Sequence, residues 1–96
     1  MRPSFTLVGR LYEIFDTQEI TSNLRKREFV LQVVGESVPE HPKFQLIQDK
    51  VHLLDDFLIG QQVLVTFSLR GRGFNKNGHV LYFTQLECES IKLAHE

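Results

Sequence analysis

The chain has no tryptophan, one cysteine, one methionine and three prolines in 96 residues. A lone thiol, Cys88, cannot close an intramolecular disulfide, so the fold must hold without a covalent staple, as suits a reducing compartment. Cys88 itself is read as a small buried hydrophobe in preference to a nucleophile. An excess of either charge is missing too. Eleven Lys and Arg face twelve Asp and Glu, a formal net charge of −1, which excludes the global basic field of a strong nonspecific nucleic-acid binder and leaves only a local patch for such contacts. No apolar run approaches membrane-spanning length, and residues 5–8 are too soon interrupted by Gly9 and Arg10 to act as a signal peptide. The expectation is therefore a cytoplasmic protein with no membrane partner.

What the chain does hold is material for a core. Hydrophobic residues make up 42% and aromatics 10%, mostly eight Phe, a globular composition well away from that of disordered chains. At this length one domain over residues 1–96 is expected, with a core across about residues 5–91 and a short frayed tail from residue 92. Residues 5–15 are rich in β-formers yet long for one strand. Gly9 near their middle permits a bend, and a bent strand can serve two sides of a barrel. Residues 16–24 are polar and mixed and read as a loop.

Residues 27–34 alternate, with Phe29, Leu31 and Val33 placed inside against Glu28, Val30, Gln32 and Val34. Pro39 and Pro42 withdraw backbone donors, making residues 35–42 a loop, and residues 43–48 form a short third strand with Phe44 and Leu46 on one face. From Asp49 to Gly60 the period becomes helical. Val51, Leu54, Phe57 and Leu58 share a face, Asp49 can cap the start and Gly60 can close the end. Such a helix would plug the open end of a small barrel.

Residues 62–69 give a fourth strand with Val63, Val65, Phe67 and Leu69 inward, and residues 70–78 read as a basic, glycine-rich loop whose glycines give flexibility. In the fifth strand, residues 79–87, the set Val80, Tyr82, Thr84 and Leu86 competes with Leu81, Phe83, Gln85 and Glu87 for the inner face, and a bulge would let both contribute. Three strands, a helix and two more strands, the first of them bent, is the order of the OB-fold. The expectation is an all-β domain with one short helix, a five-stranded barrel carrying the helix between strands three and four.

The segments VGRLYEI, RKREFVLQV, KFQLIQDKVHLLDDFLIGQQVLVTFSLRGR and LYFTQLECESIKL span almost the whole chain. They resemble a bacterial family of small OB-fold proteins grouped as a domain of unknown function and akin in fold to single-stranded DNA-binding proteins. The resemblance implies the fold and supplies no activity to carry over. Where such relatives often have tryptophan, after the fourth strand and near the end of the fifth, this chain has Phe74 and Cys88. Any stacking here falls to phenylalanine and tyrosine.

OB-folds that bind oligonucleotides use the outer face of strands two and three with the loops between strands one and two and between strands four and five. Arg25, Lys26 and Arg27 fall at the first loop, and Arg70, Arg72 and Lys76 at the second. Lys43 and Gln45 lie on the intervening strand. Phe74 sits among the second group, where it can stack on a base or, with equal weight, fold back on the barrel or meet a second subunit. Tyr12 and Tyr82 read as rim-of-core residues. Two or three phosphate contacts would give a single-strand salt slope of roughly −1.5 to −2.

Little points to catalysis. His41, His52, His79 and His95 lie singly without metal-site spacing, Asp55 and Asp56 splay apart on a helix, and no helix follows the glycine-rich segment to grip a phosphate. The leading expectation is a noncatalytic module for single-stranded nucleic acid, DNA before RNA, with no small-molecule cofactor. The alternative is a protein-interaction or assembly module, a homo-oligomer included, in which Val30, Val34, Ile47 and Leu64 form the interface. An oligosaccharide or small-ligand site is a third option that nothing in the composition selects.

Overall fold

The computed structural model describes residues 2–94. Its strands are β1 (Ser4–Ile14), β2 (Gln18–Thr21), β3 (Leu24–Gln32), β4 (Lys43–Ile47), β5 (Gln62–Lys76) and β6 (His79–Leu93), with a 3-10 helix (Gln48–Asp56) between β4 and β5. Five of them close into a barrel, β1-β5-β6-β4-β3 and back to β1. Every pair is antiparallel except β4 with β6, which run parallel with Gln45 opposite Glu87. This is the expected OB-fold barrel with its helix in the expected place. No helix among the described residues is long and apolar enough to cross a membrane.

β1 closes the barrel because it bends. Ser4 to Arg10 pair with β5, and Arg10 to Ile14 pair with β3. Gly9 stands where the two partners meet. A Cβ there would lie 2.8 Å from Val33 Cγ1 and 3.1 Å from the Gln32 carbonyl oxygen, so any side chain would push β3 away. Leu11 then opposes Leu31 and Glu13 opposes Val30, leaving Tyr12 as the extra residue of a bulge. The bulge turns the Tyr12 ring outward onto His41, with ring centroids 4.6 Å apart.

The core combines Leu11, Phe29, Leu31, Phe44, Leu46, Val63 and Val65 from the strands with Val51 and Leu54 from the helix. Phe29 stacks on Phe44 at 5.3 Å, and Phe67 meets Phe44 edge-on at 5.1 Å. Each such buried side chain contributes about 1.5–3 kcal/mol, which a barrel this small needs. Val33 is half-buried at the margin, as are Phe57 and Leu86.

The helix is of the 3-10 type. Its buried residues Val51 and Leu54 are three positions apart, the repeat of that helix, while Phe57 is the extended residue that closes it and Leu58 beyond it is exposed. Asp49 makes no cap: the helix starts after an extended Ile47 with no side-chain cap, and the Asp49 carboxylate instead accepts a hydrogen bond from Arg25. Gly60, at φ +98°, belongs to the following turn, where its N–H donates to the Leu11 carbonyl.

Four other expectations are corrected. The loop expected at residues 16–24 contains β2, which hairpins onto β3 through Gln18 opposite Lys26 and Glu19 opposite Arg25. The loop expected at residues 70–78 is strand except for its turn. β5 runs unbroken to Lys76 and β6 starts at His79, joined by Asn77 at φ +53° and Gly78 at φ +83°, the type I′ turn that an Asn-Gly pair favours. Leu69 is exposed, because beyond the pair Ser68 and Glu87 neither β1 nor β4 accompanies the hairpin. Lys92 and Leu93, expected to fray, pair with Leu64 and Val63; His95 and Glu96 lie outside the described residues. The β6 bulge falls at Glu89, since Thr66 opposes Ser90 while Phe67 opposes Cys88.

Candidate functional site

Past the barrel, β5 and β6 continue as a two-stranded arm whose residues, among the described ones, pair only with each other. Opposed residues in such a ribbon share a face. One face carries Arg70 with Gln85, Arg72 with Phe83, Phe74 with Leu81, and Lys76 with His79. This face bends over the outer wall of the barrel, and the β2–β3 hairpin rises opposite it. Between the two runs a groove of about 560 Å³, walled by Ile20, Leu24 and Lys26 on one side and by Arg70, Arg72, Phe74 and Phe83 on the other. Gln45, Ile47, Gln85 and Glu87 complete its lining.

The aromatic part of the groove is a pair. Phe74 and Phe83 meet edge-to-face with centroids 5.8 Å apart, and they remain 54% and 50% exposed, so the pairing leaves their surfaces open to a planar guest. Phe74 is thus neither a loop tip nor folded into the core. Phe83, Ile20 and Gln85 are groove residues that charge and loop position in the sequence do not pick out. The signal that finds Phe83 is Asn77-Gly78: as a two-residue turn it puts Phe83 opposite Arg72 and beside Phe74.

The cations divide into two sets. Lys26, Arg72 and Lys76 make no ion pair among the described residues, and Lys26 and Arg72 face one another across the groove. Arg70 also lines it but donates to Glu87 Oε1 at 3.2 Å. Arg25 and Arg27 are elsewhere. On β3 they alternate with Lys26 and continue the inward series of Phe29 and Leu31, which directs them to the helix that plugs the barrel. Arg25 donates to Asp49 at 3.1 Å. Arg27 donates to the Phe15 carbonyl, the Val51 carbonyl and Asp55 Oδ1 at 3.0, 3.2 and 2.9 Å. The Arg27 hydrogen bond, helped by one from His52, holds the Asp55 carboxyl below its ordinary range.

The expected triad of Arg25, Lys26 and Arg27 therefore supplies one groove residue and two anchors for the helix. Lys43 shares the outer wall but sits at the far end of β4, paired to Glu28 at 3.4 Å. Gln45, nearly buried, lies on the floor beside Glu87. Among the described residues no three His, Cys, Asp or Glu side chains are grouped closely enough to hold a metal ion.

The DUF3127 family, a domain of unknown function, matches residues 6–92. The chain belongs to this family. No curated protein matches the DUF3127 chain in sequence. Among solved structures it is similar to Rim1, a mitochondrial single-stranded DNA binding protein from S. cerevisiae. One crystal form gives a TM-score of 0.73 at 16% identity over 97% of this chain and 95% of that chain. A second form gives 0.71 at 15% identity over 97% and 96%. It is also similar to the dimeric N-terminal domain of PriB from Thermoanaerobacter tencongensis, with a TM-score of 0.65 at 17% identity over 97% of both chains. At these identities the likeness shows a shared fold.

Proposed function

We propose that this DUF3127 chain is a noncatalytic module that holds single-stranded nucleic acid, DNA ahead of RNA, in the groove between the β2–β3 hairpin and the β5–β6 arm. The observation that carries the reading is the co-location of Lys26 and Arg72, which have no ion pair among the described residues, with the exposed Phe74–Phe83 pair. Cations track a phosphate backbone while aromatic faces take bases, each stacked base being worth about 1–3 kcal/mol. A single strand offers both features at once, whereas a duplex hides its base faces. Lys76, on the same face toward the arm tip, extends the cationic track. Rim1, similar in fold, is named for binding single-stranded DNA.

Fluorescence anisotropy with a labelled oligonucleotide at low salt tests the reading. Binding at micromolar protein is expected, and Lys26→Glu combined with Arg72→Glu is expected to abolish it while leaving the melting temperature unchanged. No binding at tens of micromolar protein, or an unaltered dissociation constant in the double variant, overturns it. The four apolar residues considered for an assembly surface do not favour that alternative: Ile47 lines the groove, and Val30, Val34 and Leu64 are spread over β3, the segment after it and β5.

A further inference from the structure

The floor of the groove is made of hydrogen-bonding side chains to which phosphate contact and stacking give no task. Gln45 on β4 and Glu87 on β6 stand side by side across the parallel bridge, and Gln85 lies on the same face of β6. Gln45 is only 9% exposed, yet its amide lines the groove and has no hydrogen-bond partner among the described residues. A nearly buried amide left unpaired is costly, and a guest that brings a donor and an acceptor removes the cost. The carboxylate beside it is held in place. Arg70 donates to Glu87 Oε1 at 3.2 Å, and Arg2 lies 3.9 Å from Oε2. Phe83 precedes Gln85 and Glu87 on the same face of β6, so a base resting on its ring turns an edge toward this floor.

What the floor prefers follows from its donors and acceptors. An amide carries both and can pair with an edge of any base, so Gln45 and Gln85 hold without choosing. Glu87 only accepts. Adenine, cytosine and guanine each carry an exocyclic amino group, whose N–H can meet the carboxylate while an acceptor on the same edge takes the Gln45 N–H. Thymine and uracil instead carry one ring N–H between two carbonyl oxygens. Whichever way that edge meets the floor, a carbonyl oxygen lies beside the Glu87 carboxylate, acceptor against acceptor.

We infer that Gln45 and Glu87 make the groove selective for amino-bearing bases over thymine and uracil. The inference rests on the reading of the groove as a single-strand site and adds to it a choice among sequences.

Anisotropy titrations of the full chain with labelled oligo(dC) and oligo(dU) of one length test it, since the two share sugar, phosphate and ring size and differ at the amino-bearing edge. Oligo(dC) is expected to bind about tenfold more tightly, the worth of one discriminating base contact. The amide of Glu87→Gln can accept from an amino group or donate to a carbonyl. In that variant the ratio is expected to fall toward one, chiefly because oligo(dU) gains. Gln45→Leu keeps the bulk and removes the polar edge, and is expected to weaken oligo(dC) more than oligo(dU) at an unchanged melting temperature. Equal affinity of the wild type for both probes overturns the inference while leaving the groove its single strand, and so does a preference that survives intact in Glu87→Gln. Binding of neither probe at tens of micromolar protein removes the single-strand reading itself, and the preference with it.

Discussion

Glu87 is the carboxylate of the groove among the described residues, and it sets how strongly Arg70 can act. Its Oε1 lies 3.2 Å from Arg70 and its Oε2 lies 3.9 Å from Arg2, so a phosphate approaching Arg70 must compete with an acid already there. Glu87→Gln keeps the shape and a hydrogen-bond acceptor while removing the competitor. The variant is expected to bind oligonucleotide up to about fivefold more tightly, equivalent to about 1 kcal/mol for a partly exposed pair. Its plot of log affinity against log salt should steepen by about 0.7, one more phosphate contact. An unchanged slope would show that Arg70 contributes no contact.

Cys88 has the opposite character. Fully buried in the barrel core, its thiol is pushed from an ordinary 9.0 up to about 12, chiefly because burial penalises the thiolate. A raised folded value means the thiol's contribution to stability is complete below about pH 9 and is lost as pH rises toward 12, by at most about 1.4 kcal/mol per pH unit. Urea unfolding between pH 8 and 10.5 should show this decline in the wild type and a shallower one in Cys88→Ala. The expected assignment as a small core residue rests on the same burial.

At the scale of elements, the arm and the helix show how far the sequence was legible. Strand positions in the barrel were legible because one buried face imposes a period of two, as in Phe29 and Leu31 or Val63 and Val65. The arm has no buried face. Arg70, Gly71, Arg72 and Gly73 alternate charge with glycine, which looks like a loop until Asn77-Gly78 is taken as the turn and the two strands are laid side by side. The helix is hard to read for a related reason, since the spacing of Val51 and Leu54 fits an α-helical stripe as well as a 3-10 repeat, and Phe57 and Leu58 just beyond the helix extend the apolar pattern.

Arg25 and Arg27 turn toward the helix while Lys26 turns to the groove, because adjacent residues on a strand face opposite ways, and charge alone does not say which way is out. Their alternation with Lys26 gives a clean separation of roles. Arg27→Met is expected to cost about 1–3 kcal/mol of stability by unpairing the Val51 and Phe15 carbonyls, with little change in oligonucleotide affinity. Lys26→Met is expected to do the reverse. Chemical denaturation and anisotropy on both variants check the pair. The acid side of the stability curve should respond as well. Asp55 has a lowered value, so its contribution is present above its ordinary 3.8 and is lost as pH falls through the lower folded value; Arg27→Met should weaken that acid-dependent loss.

For the whole molecule, a net charge of −1 and an electropositive groove are compatible because charge is sorted by location. Arg25, Arg27 and Lys43 are paired with neighbouring acids, leaving Lys26, Arg72 and Lys76 without an ion pair among the described residues on one side of the barrel. The barrel itself was readable from the order of its strands and the bend at Gly9. The pairing of groove walls was readable only in part, through Lys26 and Arg72, because it depends on an arm whose extent no hydrophobic period recorded.

The absence of tryptophan makes base stacking on the arm directly measurable. Phe83→Trp places a sole indole fluorophore on the groove face of the arm, and Tyr82→Trp places one on the opposite face of the same strand. Titration with unlabelled single-stranded DNA is expected to quench the first strongly, through base stacking, and to leave the second nearly unchanged. Equal quenching of both, or none at Phe83→Trp despite saturating DNA, would contradict the account.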